Sequence, residues 1–194
     1  DHWDYIRYVK DSVPIFCGET AKTMIVAREL ASSGRRAEYR IASLSPTQGE
    51  QVCKKFHTFR TGDVLKIGSI RLEPIHVDHS VPGAYGFIIY TSDGVIAYTG
   101  DFRLHGPKAA MSREFIDKAK QAHPDVLITE ATNIVDAKMV SESEVEEKIT
   151  GIVSTTQRLA LAGFYLNDID RLKTFWQAAK TNGRQLTIST KQAW

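Results

Sequence analysis

The stretch that most constrains the fold runs from Val52 to Tyr98, where apolar and polar residues alternate and glycine-bearing turns recur at short intervals. Phe56, Thr58 and Arg60 alternate with Lys55, His57 and Phe59, while Gly62-Asp63 and Gly68-Ser69 punctuate two further runs, 64–67 and 70–77. A period of two sends successive side chains to opposite faces of a sheet, so each run reads as a strand. Two more runs, 85–90 and 95–99, are joined across Thr91-Ser92-Asp93-Gly94, the strongest hairpin signal in the chain. Such a block builds an antiparallel-rich sheet.

The flanks supply helices. Val13-Pro14-Ile15-Phe16 reads as a first strand with Pro at its edge, and Gly18-Glu19-Thr20 opens a helix to about Ser33. Met24, Ala27, Leu30 and Ala31 give that helix its three- and four-residue apolar spacing, and Gly34 stops it. Residues 35–50 are a polar connection. After Gly106-Pro107, residues 112–122 predict a helix and 125–129 a buried strand. Ser141-Glu142-Ser143-Glu144 has the form of a capping box and starts the next helix. A strand over 159–165, a helix over 168–181 stopped by Asn182-Gly183, and a strand over 186–189 complete the pattern. Near residue 131 an antiparallel-rich part therefore gives way to an α/β unit, and the fold class is α+β.

Composition narrows the class. A chain of 194 residues buries one substantial core but is short for two full domains. Its 42% hydrophobic and 25% charged residues are those of an ordinary globular protein, and 25 basic against 23 acidic residues leave a net charge of +2. That balance neither requires nor excludes nucleic acid, because a basic groove can coexist with a neutral total. Cys17 and Cys53 make no metal-binding pair and are expected to be free thiols in a reducing cytosol. No apolar run approaches the ~20 residues of a membrane span, so a soluble, cytoplasmic protein is expected. The chain opens on Asp1-His2-Trp3 and stops at Trp194 directly after a strand pattern, which predicts an internal fragment of a longer protein.

Three clusters combine metal-ligand side chains with strand ends and turns: Asp1-His2, His76-Val77-Asp78-His79-Ser80, and Thr99-Gly100-Asp101-Phe102-Arg103-Leu104-His105. A hydrolytic dizinc site needs neutral imidazoles and a bridging carboxylate held at rigid strand ends. Two such ions lower the pKa of a bridging water and give a hydroxide nucleophile near neutral pH. His79 follows one predicted strand and Asp101 another, so strands finishing side by side would bring the two together.

The run HSVPGAYGFIIYTSDGVIAYTGDFRLHG resembles the third and fourth motifs of metallo-β-lactamase-fold nucleases of the β-CASP group, the ribonuclease J type in particular. Asp1-His2, with Trp3 to Val9 and Val13-Pro14-Ile15 after it, is similar to the end of that fold's His-x-His-x-Asp-His motif and its sequel; the motif's first two histidines are not in this sequence. Leu127-Ile128-Thr129-Glu130-Ala131-Thr132-Asn133 resembles the point where the β-CASP insertion begins, and Asp170-Arg171-Leu172 with Gly183-Arg184 resembles its first α/β unit. The resemblance implies part of an αββα metallo-β-lactamase sandwich over 1–130 and the start of a β-CASP domain over 131–194. It implies a two-zinc ribonuclease, with manganese as a substitute metal, acting as exonuclease or endonuclease on RNA. Asp1 and His2 would hold one zinc, His79 the other, and Asp101 both, with Asp1 also orienting the hydroxide and Glu130 close to the site. A fragment lacking the upstream histidines would bind zinc weakly and leave RNA intact.

Other readings stand beside these. Asp1-His2 can be a frayed terminus, His79 a histidine satisfied by a backbone carbonyl, Asp101 a turn former and Glu130 a cap on its own turn. His76, opposite in parity to His79, packs or faces solvent; Arg103 and His105 touch phosphate or lie behind the site. At the level of function, a small-molecule ester, lactone or thioester hydrolase and a catalytically inactive RNA- or protein-binding scaffold are the alternatives. A homo-oligomer is compatible with the sequence but not encoded in any motif.

Overall fold

The computed structural model describes residues 9–10, 12–32, 56–132, 139–165 and 167–189. The chain divides into two compact units, Asp1–Arg60 with Ile188–Trp194, and Thr61–Thr187.

In the first unit, strand β1 (Ile15–Gly18) leads directly into helix α1 (Glu19–Ser32). Strand β2 (Phe56–Phe59) pairs with β1 in parallel, Ile15 opposite Phe56 and Gly18 opposite Phe59. Pro14 has no N–H to give a ladder, and the strand starts after it rather than at Val13. Phe56, Phe59 and Ile25 are buried.

The second unit is built on a five-stranded sheet of β3 (Leu65–Ile67), β4 (Ile70–His76), β5 (Tyr85–Thr91), β6 (Gly94–Tyr98) and β7 (Val126–Ile128), in that spatial order. The first four strands form an antiparallel meander. Its last turn is tied by the Thr91 hydroxyl, which donates to the Gly94 carbonyl at 2.9 Å and accepts from the Asp93 N–H at 3.2 Å. Helix α2 (Ala109–Ala122) then carries the chain to β7, which pairs with β6 in parallel, as a crossover connection requires. Phe115, Ile116, Ala119 and Ala122 lie on one face of α2 and pack on Ile75, Val77, Ile88 and Ala97 of the sheet. The helix ends at His123 in the left-handed region (φ 50), just before Pro124.

The strand expected at 125–129 is present but not buried: Val126, Leu127 and Ile128 are 49%, 62% and 48% exposed. It lies at the sheet edge, while α2 covers β4 and β5. Helices α3 (Glu142–Thr155) and α4 (Ile169–Thr181) pack on each other. Ser141 and Glu144 form the expected reciprocal capping box, and Asp168 caps α4 by accepting the Arg171 N–H at 2.9 Å. Residues 159–165 and 186–189 are not strands. Among the described residues no strand pairs with either segment, and Leu159 and Leu161 stand 79% and 88% exposed. The architecture is mixed α+β. No helix among the described residues is long and apolar enough to cross a membrane.

Candidate functional site

Strand direction assembles the site. β4 and β6 both run antiparallel to β5, and β7 runs parallel to β6, so the chain leaves all three at one edge of the sheet. His79 lies three residues beyond the end of β4, Asp101 three beyond β6 and Glu130 two beyond β7. Burial holds the half-buried His79 below the ordinary histidine pKa. Asp101 and Glu130 pull it back up, and Arg103 adds to the lowering. Three charged side chains among the described residues thus act on one imidazole, whose neutral form burial favours.

Each loop is fixed by local chemistry. Gly100 has φ +57, and a Cβ there would stand 2.7 Å from the Tyr85 carbonyl oxygen, so the turn presenting Asp101 needs glycine. Thr99 is buried; its N–H donates to the Ile128 carbonyl at 3.0 Å and its hydroxyl to the Gly100 carbonyl at 2.7 Å. Glu130 accepts the Phe102 N–H at 2.8 Å through one carboxylate oxygen and the Thr132 hydroxyl at 2.6 Å through the other. Its side chain therefore braces the Asp101 loop as well as its own turn. On the histidine side, the Val81 N–H donates to His79 Nδ1 at 3.3 Å. With Nδ1 accepting, Nε2 carries the proton of the neutral ring.

Behind these loops sits a buried ion cluster. The Asp78 side chain is fully buried and accepts from Arg103 Nε at 3.0 Å and from the Lys108 N–H, at the start of α2, at 3.1 Å. Its own N–H donates to the Ser112 hydroxyl at 2.9 Å, and its carbonyl accepts the Arg103 N–H at 2.7 Å. The Arg103 guanidinium continues to Asp170 at 2.5 Å, where Lys108 Nζ also approaches to 3.4 Å. Gly106 leaves the room: a Cβ there would run into both Arg103 and Asp78. Asp78 thus joins the His79 loop, the Asp101 loop and the start of α2, and Arg103 extends the tie to the first turn of α4.

His79, Asp101 and Glu130 are therefore brought to one edge, whereas Asp1 and His2 lie outside the described residues, as do Cys53 and Asn133. His76 stacks on Tyr85, its cross-strand partner, with ring centroids 4.8 Å apart, in keeping with a packing residue. His105 has a buried Nδ1 with no hydrogen-bond partner among the described residues. As a metal centre the described residues fall short: no group of three His, Cys, Asp or Glu side chains among them could hold an ion. To ligate as a neutral ring, His79 would also have to release the Val81 N–H, whether it bound through Nδ1 or through Nε2 with the proton moved to Nδ1. The structural weight carried by Asp78 and Arg103 had no sequence signal beyond their places next to His79 and Asp101.

Among curated proteins the chain is similar to several ribonucleases J, the type its motifs resemble. The chain is 26% identical over 137 residues to ribonuclease J of Sinorhizobium meliloti, covering 67% of this chain and 24% of that one. It is 24% identical over 149 residues to ribonuclease J 2 of Streptococcus pyogenes (72% and 27%) and 25% identical over 131 residues to ribonuclease J of Thermus thermophilus (65% and 23%). The chain spans about a quarter of the length of these curated relatives. No family profile matches it. Among solved structures it is similar to a protein of unknown function from Enterococcus faecalis V583, with a TM-score of 0.68 and 25% identity, covering 89% of this chain and 41% of that one.

Proposed function

We propose that this chain is part of a ribonuclease J-like protein of the metallo-β-lactamase/β-CASP group, and that the complete protein hydrolyses RNA phosphodiesters in the cytoplasm. In this reading residues 1–130 belong to a lactamase-like sandwich and 131–194 begin a β-CASP domain. The observation that carries the proposal is the shared sheet edge, where three strands of one direction deliver His79, Asp101 and Glu130, and where Asp101 and Glu130 both act on His79. A neutral imidazole beside carboxylates at rigid strand ends is the donor chemistry of hydrolytic metal sites.

Zinc dependence, with manganese as a substitute, is part of the proposal. Such ions neutralise charge on a phosphate and activate water. Their ligand set must extend beyond the described residues, with Asp1 and His2 the candidates. Within this chain, Glu130 and Gly100 hold the Asp101 loop, and Asp78 with Arg103 holds the His79 loop against it. Cleavage of end-labelled RNA by the complete protein, with and without chelator, tests the reading. Chelation should stop cleavage, Asp101→Asn should remove nearly all of it, and His79→Ala most of it. Undiminished turnover by Asp101→Asn would overturn the assignment.

A further inference from the structure

On the exposed side of α4 a stripe of side chains and an adjoining cavity are left unused by the site above. Lys173, Trp176 and Lys180 are all exposed, at helical spacings that place them on one face, while Thr174 and Ala178 are buried on the other. Trp176 keeps 47% of its surface in solvent, a large exposure for an indole. Lys180 Nζ stands 4.9 Å from its ring centroid. Beside them lies a cavity of about 430 Å³ lined by Trp176, Lys180, Arg184, Gln185 and Leu186. That size falls within the roughly 300–1,000 Å³ of small-ligand pockets.

The charges around the cavity are of one sign. The Arg184 guanidinium donates to the Thr156 carbonyl at 2.6 Å and to the Arg158 carbonyl, which fix its position without neutralising it. Among the described residues no carboxylate forms an ion pair with Lys173, Lys180 or Arg184. An apolar partner laid on this face would strand ammonium groups against itself, which is costly. A ligand with a flat π face and flanking negative charge meets both requirements. Lys173 and Lys180 are about 10 Å apart along the helix axis, one on each side of the indole.

We propose that this cavity receives one unpaired nucleobase of single-stranded RNA, stacked on Trp176, with Lys173 and Lys180 on the flanking phosphates. The ligand class rests on the RNA reading above, but the binding needs neither metal nor cleavage. Base–aromatic stacking is tolerant of sequence, so the site would hold strand rather than read it.

The test is fluorescence anisotropy of a labelled octa-adenylate RNA with this chain. Trp176→Ala should weaken binding about tenfold, Trp176→Phe distinctly less, and an abasic octamer should bind the native chain about as poorly as octa-adenylate binds Trp176→Ala. Lys180→Gln should lower the slope of log K against log salt by roughly 0.7, one phosphate contact on a single strand. Trp176 is exposed, so its replacements should keep the native circular dichroism. Unchanged affinity in Trp176→Ala, equal binding of the abasic octamer, or no binding of octa-adenylate at all would each overturn the proposal. Binding that follows Trp176 while the complete protein leaves RNA uncut would sink the ribonuclease reading and keep this one. Cleavage without dependence of binding on Trp176 would do the reverse.

Discussion

Replacing Arg103 by methionine tests whether the buried cluster holds the loops of the candidate site. Methionine keeps the length and apolar stem but removes the guanidinium from between Asp78 and Asp170. The two carboxylates are left in different positions. Asp170 is 13% exposed and keeps Lys108 Nζ, so it can turn to water. The Asp78 side chain has no exposure and retains only the Lys108 N–H. Stranding one member of a buried ion pair costs about 3–5 kcal/mol. Arg103 is itself 10% exposed and one hydrogen bond survives, so the lower end applies, about 3 kcal/mol. Urea unfolding followed by circular dichroism measures it through the midpoint at constant slope. Asp170→Asn, which leaves the Asp78–Arg103 bond intact, should cost only about 1 kcal/mol. Adding Asp78→Asn to Arg103→Met should recover part of the loss, because the stranded charge is gone. A loss below about 1 kcal/mol for Arg103→Met, or equal losses for it and Asp170→Asn, would show that Asp78 is not stranded.

Other positions give sharper or simpler tests. Gly100→Ala forces a left-handed residue to carry a Cβ into the Tyr85 carbonyl, so thermal melts should show a loss of at least about 2 kcal/mol; a neutral outcome would show that the turn can relax. For Glu142, burial raises the carboxyl pKa, but hydrogen bonds from Arg171 and Thr174 outweigh it and hold the group below the usual carboxylate range. Its contribution is therefore complete above the unfolded value of about 4.3 and fades as pH falls through the lower folded value. Native and Glu142→Gln chains should differ in melting temperature at pH 6 and converge towards pH 3; a pH-independent gap would refute the linkage. Calorimetric zinc titration of this chain should show weak binding of the ion assigned to His79, which would have only His79 and a share of Asp101 where a catalytic zinc takes three protein ligands; tight binding of two zinc ions per chain would refute the ligand assignment.

What was legible in the sequence follows the range over which each feature is decided. The 91–94 hairpin and the Ser141 capping box are settled within a few residues, and both form. The two late strands were read from apolar runs, but a strand exists only beside another strand, and 159–165 and 186–189 have none among the described residues. The 126–128 strand was found and its burial misjudged, because an apolar run does not say whether its place in the sheet is central or at the edge. At the site, the strand ends bearing His79, Asp101 and Glu130 could be read from motif and turn. The clamp behind them could not, because Asp78 meets Arg103 across 25 residues and Arg103 meets Asp170 across 67.

That long-range clamp links the two surfaces assigned to RNA. Asp170 sits in the first turn of α4, held by the guanidinium that also grips the residue before His79. Lys180, on the cavity rim, lies ten residues on, about 15 Å along the same helix axis. A 13-residue helix packed along its buried face on α3 transmits position rather than bending. A strand stacked on Trp176 would therefore be held at a fixed offset from the sheet edge that carries His79 and Asp101. The offset depends on Arg103, which lies outside the Trp176 cavity. Arg103→Met should accordingly leave octa-adenylate binding at Trp176 intact while lowering cleavage by the complete protein, and a parallel fall in both would show that α4 does not act as the spacer.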